Sequence, residues 1–122
     1  MYSPTVLDHF QAPRNVGEMP DADAIGEAGN PINGNSITLY LKISGGRIVK
    51  AAFRAYGCPA TVAAGSAVTE WLIDKRLEEV QLIESNTIER VLDGLPPTKR
   101  HCSVMAADAA REAVVAYRKQ RT

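Results

Sequence analysis

The chain has only two thiols, Cys58 and Cys102, and both fall where the local pattern begins a helix. Pro59 follows Cys58, and proline suits the first helical position because the N–H it lacks has no partner there. Cys102 opens the last helical pattern, with His101 directly before it. The free N–H groups and the dipole at a helix start favour a thiolate, which lowers the thiol pKa and raises nucleophilicity and metal affinity. An adjacent imidazole adds a metal ligand or a proton acceptor. Two chemistries are therefore open: coordination of a metal by two thiolates and an imidazole, or attack by an activated thiol. A plainer reading stands beside them, in which each cysteine is a small buried hydrophobe. His9 has no such company and reads as a packing or capping residue.

These residues must be held by one small domain spanning residues 1–122, long enough to bury a core without disulfide staples. Lys+Arg number 14 against Asp+Glu 14, a formal net charge of +0. That balance argues against nucleic acid as a partner, because such binding rests on surplus Lys and Arg. The 45% hydrophobic and 23% charged fractions are those of a soluble globular protein. No apolar run approaches the ~20 residues that cross a bilayer. Asp8 and His9 interrupt the apolar stretch at the start of the chain, which differs from a signal-peptide core. The expected setting is the cytoplasm, where thiols stay reduced, and the expected state a monomer or weak homo-oligomer.

The hydropathy pattern sets out the scaffold. Ser3-Pro4 starts a short helix with Val6, Leu7 and Phe10 on one face, ended by Pro13. Residues Arg14 to Gly34 read as loop with one short edge strand near Ala24 to Glu27. Ile37, Leu39, Leu41 and Ile43 alternate with polar residues, the period of a half-buried strand. Gly45-Gly46 is a hairpin turn, because both positions need positive φ. The return strand runs from Arg47 to Tyr56 with Val49, Ala51, Phe53 and Ala55 expected inside. A helix capped by Cys58 continues to Asp74, offering Val62, Val68, Trp71 and Leu72 to the core. A shorter helix covers Leu77 to Ile83, and Asn86 with Glu89 reads as the capping box of another ending near Gly94. Leu95-Pro96-Pro97 is expected to be extended and exposed. The last helix runs from Cys102 to about Lys119, with Met105, Ala109, Ala113, Ala116 and Tyr117 inward and Asp108, Arg111, Glu112 and Arg118 in solvent.

Several segments together resemble one family. Met1-Tyr2-Ser3, Asp8-His9-Phe10, Pro13-Arg14-Asn15-Val16-Gly17, Tyr56-Gly57-Cys58, Thr69-Glu70-Trp71 and the run from Leu95 to Ser103 look like the iron–sulfur cluster assembly scaffold proteins of the IscU/NifU N-terminal type. The resemblance implies an α+β fold, a small antiparallel sheet of about three strands packed against four to five helices. It implies that Cys58, His101 and Cys102 bind iron or a labile [2Fe–2S] cluster, with zinc as a further candidate. It implies sulfur delivery by a PLP-dependent cysteine desulfurase, with Cys102 as the expected acceptor, assisted by Lys99. Leu95, Pro96, Pro97, Thr98 and Lys99 match the segment that an Hsp70-type chaperone recognises in part of the family, and acceptor apo-proteins complete the expected partners. The protein would then be a carrier and not an enzyme.

One departure limits the resemblance. Where the family has Cys-Gly-Asp in the loop before the long strand, this chain has Asn33-Gly34-Asn35. An amide oxygen is a poor replacement for a thiolate on iron or zinc. Two thiolates and one imidazole remain, leaving a coordination position for water, a partner's side chain or a second copy. A diverged adaptor, zinc-bound or metal-free, that docks a desulfurase or chaperone without building clusters is the alternative. A small thiol enzyme with His101 activating Cys102 is a third reading.

Overall fold

The computed structural model of the chain describes residues 2–30 and 34–120. Ser3 caps α1 (Pro4–Gln11): its hydroxyl accepts from the Val6 N–H at 3.1 Å and donates to the Leu92 carbonyl at 2.5 Å. Strands β1 (Ala24–Asn30), β2 (Asn35–Ser44) and β3 (Arg47–Tyr56) form an antiparallel sheet in that order. The edge strand is thus longer than its composition predicts. The free edge of β3 is partly covered by Asn15–Gly17: Phe53 N–H donates to the Asn15 carbonyl, and Gly17 N–H to the Phe53 carbonyl.

Alternation along β3 places Val49 inside, but the structure leaves it 44% exposed. A bulge beside Lys42 and Ile43 shifts the register so that Ile48, not Val49, faces Ile43 and takes the inner place. The extra residue flips the parity of everything on its side of the bulge.

One face of the sheet carries α2 (Pro59–Leu72) and α5 (Arg100–Gln120), with α1 against α2 and α4 (Ser85–Val91) against α5 and α2. Short α3 (Leu77–Gln81) packs on α5. Both long helices approach closely because their inner faces are small: Ala60, Ala63, Ala64 and Ala67 on α2, and Ala106, Ala109, Ala110 and Ala113 on α5, all fully buried. A Cβ at Gly65 would stand 2.4 Å from the Phe53 ring, and one at Gly26 2.1 Å from the Ala109 carbonyl oxygen. Val62, Trp71, Met105, Ala116 and Tyr117, expected in the core, are only partly buried. Arg111 is not left to solvent: it donates to the Ile83 carbonyl and pairs with Asp108.

Three boundaries correct the sequence reading. Asn86 is not a cap, since α4 begins at Ser85 after Glu84, and at the start of α3 the Glu79 carboxylate accepts from the Arg76 backbone N–H at 3.1 Å. Glu89 pins the start of α5, pairing with Arg100 at 3.3 Å and accepting from the Ser103 hydroxyl at 3.3 Å. Leu95 is 8% exposed, not free: Gly94, at φ 95°, turns the chain so that this side chain enters the core. Pro97–Lys99 then form one 3-10 turn that leads directly into α5 at Arg100.

His9 is a packing residue, 4% exposed between α1 and α2. The Ser66 hydroxyl accepts from the Arg14 N–H at 2.9 Å and lies 2.8 Å from His9 Nδ1. Its own proton is therefore assigned to Nδ1, which leaves Nε2 protonated and facing Glu70 at 3.5 Å. Burial and then Arg14 lower the His9 pKa, against Glu70 and Asp8, which raise it. The unfolded chain binds the proton more readily, so this contribution to stability is present above pH 6.5 and is lost as pH falls below it. Urea midpoints are expected to drop between roughly pH 7.5 and roughly pH 5.5, and to drop less in His9→Gln. An unchanged drop in the variant would assign the pH dependence elsewhere.

Candidate functional site

The register Ser36↔Tyr56 brings the start of β2 beside the end of β3, where the chain turns through Gly57 into α2. Gly57 has φ 140°, and a Cβ there would stand 2.4 Å from Asn35 Oδ1 and 2.9 Å from Thr61 Oγ1. Only glycine lets the Asn35 side chain and the Thr61 hydroxyl close over this turn. Cys58 is the N-cap of α2, as its position before Pro59 predicts. Cys102 lies in the first turn of α5, so the starts of the two long helices meet here.

Thr61 is the meeting point. Its hydroxyl oxygen lies 3.6 Å from Cys58 Sγ and 3.4 Å from Cys102 Sγ, and both cysteines are free. His101 Nε2 lies 3.6 Å from Cys102 Sγ. The two thiols are not equivalent. Cys58 is partly exposed, whereas Cys102 is fully buried. Burial would push the Cys58 thiol up, but the Thr61 hydroxyl, the Thr61 and Ala60 N–H groups and the charge of Lys99 outweigh it and hold the pKa at about 7. Burial raises the Cys102 pKa, with Cys58 adding to it and Thr61 and Lys99 opposing. One proton arrangement satisfies both: the Cys102 S–H donates to Thr61, and the Thr61 O–H donates to a Cys58 thiolate.

The residues singled out in the sequence fare differently. Cys58, Cys102, His101, Lys99 and Asn35 are brought together, while Asn33 lies outside the described residues. Cys102, the expected sulfur acceptor, is fully buried and its thiol pKa is raised by burial, so Cys58 is the more accessible and more readily ionised of the two thiols. That burial also counts against the thiol-enzyme reading. Of the segment matched to chaperone recognition, Leu95 is withdrawn into the core, whereas Pro96, Pro97, Thr98 and Lys99 stay at least partly accessible beside Tyr2. Among the described residues, no group of three His, Cys, Asp or Glu side chains is already gathered as a metal cage. The two sulfurs and the exposed His101 ring must close by a further step to share an ion. Thr61 is the residue that sequence reasoning misses; its signal is a hydroxyl one helical turn after the cysteine cap.

Similarity to known proteins bears on this arrangement. The sequence matches the NifU-like N terminal domain family over residues 1–122. The chain belongs to that family. It is 46% identical to iron-sulfur cluster assembly scaffold protein IscU 1 of Archaeoglobus fulgidus, over 96% of this chain and 76% of the relative. It is 40% identical to the IscU scaffold protein of Escherichia coli K12, over 98% of this chain and 96% of that protein. The crystal structure of the N-terminal part of a nitrogen-fixing NifU-like protein from Brucella abortus matches the fold with TM-score 0.75 at 18% identity, over 97% of this chain and 94% of that one. The α+β architecture expected from the resemblance is thus the architecture present. Among the described residues, no helix is long and apolar enough to cross a membrane.

The asymmetry of the thiols has a direct readout. Alkylation of Cys58 by iodoacetamide is expected to rise with an apparent pKa of about 7, while Cys102 stays unmodified until the protein unfolds. Thr61→Val, which keeps the shape and removes the donor, is expected to move the Cys58 transition upward. Peptide mass spectrometry across pH checks both, and equal labelling of the two cysteines in the folded protein would contradict the arrangement.

Proposed function

We propose that residues 1–122 form an iron–sulfur cluster assembly scaffold-like protein that binds iron, or a labile [2Fe–2S] cluster, through Cys58, Cys102 and His101. The observation that carries this reading is the convergence of two thiols on one hydroxyl, beside an imidazole, in a chain 46% identical to a named scaffold. Sulfur arrives from a PLP-dependent cysteine desulfurase and enters at Cys58, the accessible thiol. Lys99 adds positive charge where anionic sulfur species approach. Pro96 to Lys99 present the surface for an Hsp70-type chaperone, and finished clusters pass to acceptor apo-proteins. The protein is a cytoplasmic carrier, with iron and sulfide as its cargo, and it is not an enzyme.

The donor set fits a divalent ion in charge. Two thiolates neutralise it, the imidazole adds a third donor, and one position stays open. A [2Fe–2S] cluster with its usual four protein ligands needs one more donor than this set provides. Asn33 and Asn35 also support a second reading, an adaptor that docks a desulfurase or chaperone and holds zinc or no metal.

Anaerobic incubation with iron and sulfide is expected to give a coloured protein that retains both after desalting. Asn33→Cys is expected to retain severalfold more of each, because it restores a thiolate. A colourless protein without bound sulfide, in both forms, would contradict the scaffold reading. Desulfurase capture that survives Cys58→Ala and Cys102→Ala while no metal is bound would establish the adaptor instead.

A further inference from the structure

We infer that Cys58 and Cys102 act as a dithiol that reduces a bound sulfane sulfur and releases it as sulfide. This rests on the reading of the site as a sulfur acceptor, and it assigns the second thiol a role beyond coordination. Cys58 is partly exposed at the start of α2, so a sulfur donor reaches it first. Cys102 is fully buried, within hydrogen-bond reach of the same Thr61 hydroxyl that touches Cys58. A buried thiol beside an accessible one is the arrangement of a resolving cysteine behind an attacking cysteine. No donor from outside reaches Cys102, yet a persulfide on Cys58 places its inner sulfur beside it.

The step balances within the chain. Cys58 first carries one extra sulfur as Cys58–S–SH. Cys102 gives its proton to His101 Nε2, 3.6 Å away, and its sulfur attacks Cys58 Sγ. A Cys58–Cys102 disulfide forms, the bond to the outer sulfur breaks, and that sulfur leaves as hydrosulfide, which takes up a proton to become hydrogen sulfide. Two cysteine thiols are oxidised to a disulfide, the sulfane sulfur is reduced to sulfide, and no external reductant enters. The new bond needs the two sulfurs to close from either side of one hydroxyl, so Thr61 must rotate out of the way. The disulfide removes both thiolates from coordination, so sulfide release and metal binding alternate, and a thiol reductant resets the pair.

The reduced protein is loaded anaerobically with inorganic polysulfide, desalted, and followed by sulfide assay and intact mass. Stoichiometric sulfide release is expected, together with a tryptic cross-link joining the peptides that carry Cys58 and Cys102. In Cys102→Ser, sulfide release is expected to fall to background while the mass keeps one added sulfur. Wild-type protein that holds its added sulfur with Cys102 still free overturns the inference, as does a Cys102→Ser variant that releases sulfide equally fast. Repeating the loading with a desulfurase and cysteine separates the two readings. Sulfide release from polysulfide, with no sulfur taken from the desulfurase, supports the dithiol step and counts only against the acceptor reading on which it was built.

Discussion

A single hydroxyl proton between two sulfurs governs the chemistry of this site. Thr61 can donate to only one of them, and the other must then donate to it. Together with the deeper burial of Cys102 and the Thr61 and Ala60 N–H groups at Cys58, that constraint separates two chemically identical side chains into a poised thiolate at Cys58 and a protonated thiol at Cys102. Burial enforces the difference, because a second thiolate beside the first would lack both solvent and a donor. Lys99 offsets part of the negative charge from outside the pair.

The hydroxyl can serve both sulfurs only if the starts of two helices, distant in sequence, are held together. The rest of the molecule supplies that rigidity. Gly65 lets α2 lie on the Phe53 ring, and Gly26 lets α5 lie backbone to backbone on β1. Glu89 ties the first turn of α5 to α4 through Arg100 and Ser103, and His9 ties α1 to α2 through Ser66. Small residues on the inner helix faces exchange hydrophobic area for short approach. Site position follows from packing, and packing follows from where side chains are absent.

Much of this arrangement is legible in the amino-acid sequence. The hairpin around Gly45-Gly46, the N-cap at Cys58 and the helix start near Cys102 follow from turn chemistry, proline placement and alternation, and they bring the thiols to helix starts. The failures have local causes. Alternation misplaces Val49 because a bulge is a two-strand event that one strand's pattern does not encode. Asn86 and Glu89 have capping-box spacing, but Glu89 is recruited by Arg100, a tertiary contact that overrides the local pattern. Leu95 goes inward because Gly94 redirects the chain. The histidine beside Cys102 suggests a reactive thiol, whereas the burial that quenches it depends on strands and helices far away in sequence. Thr61 is hard to single out because its partner across the site is forty-one residues distant.

Metal binding at this site requires Cys58 and Cys102 to close on the same ion with His101. X-ray absorption at the zinc edge of the zinc-loaded protein tests this most directly. Two sulfur ligands at about 2.3 Å and a nitrogen ligand at about 2.0 Å are expected, with one sulfur lost in Cys58→Ser and one in Cys102→Ser. A shell of oxygen and nitrogen alone, or one that either serine substitution leaves unchanged, would contradict it.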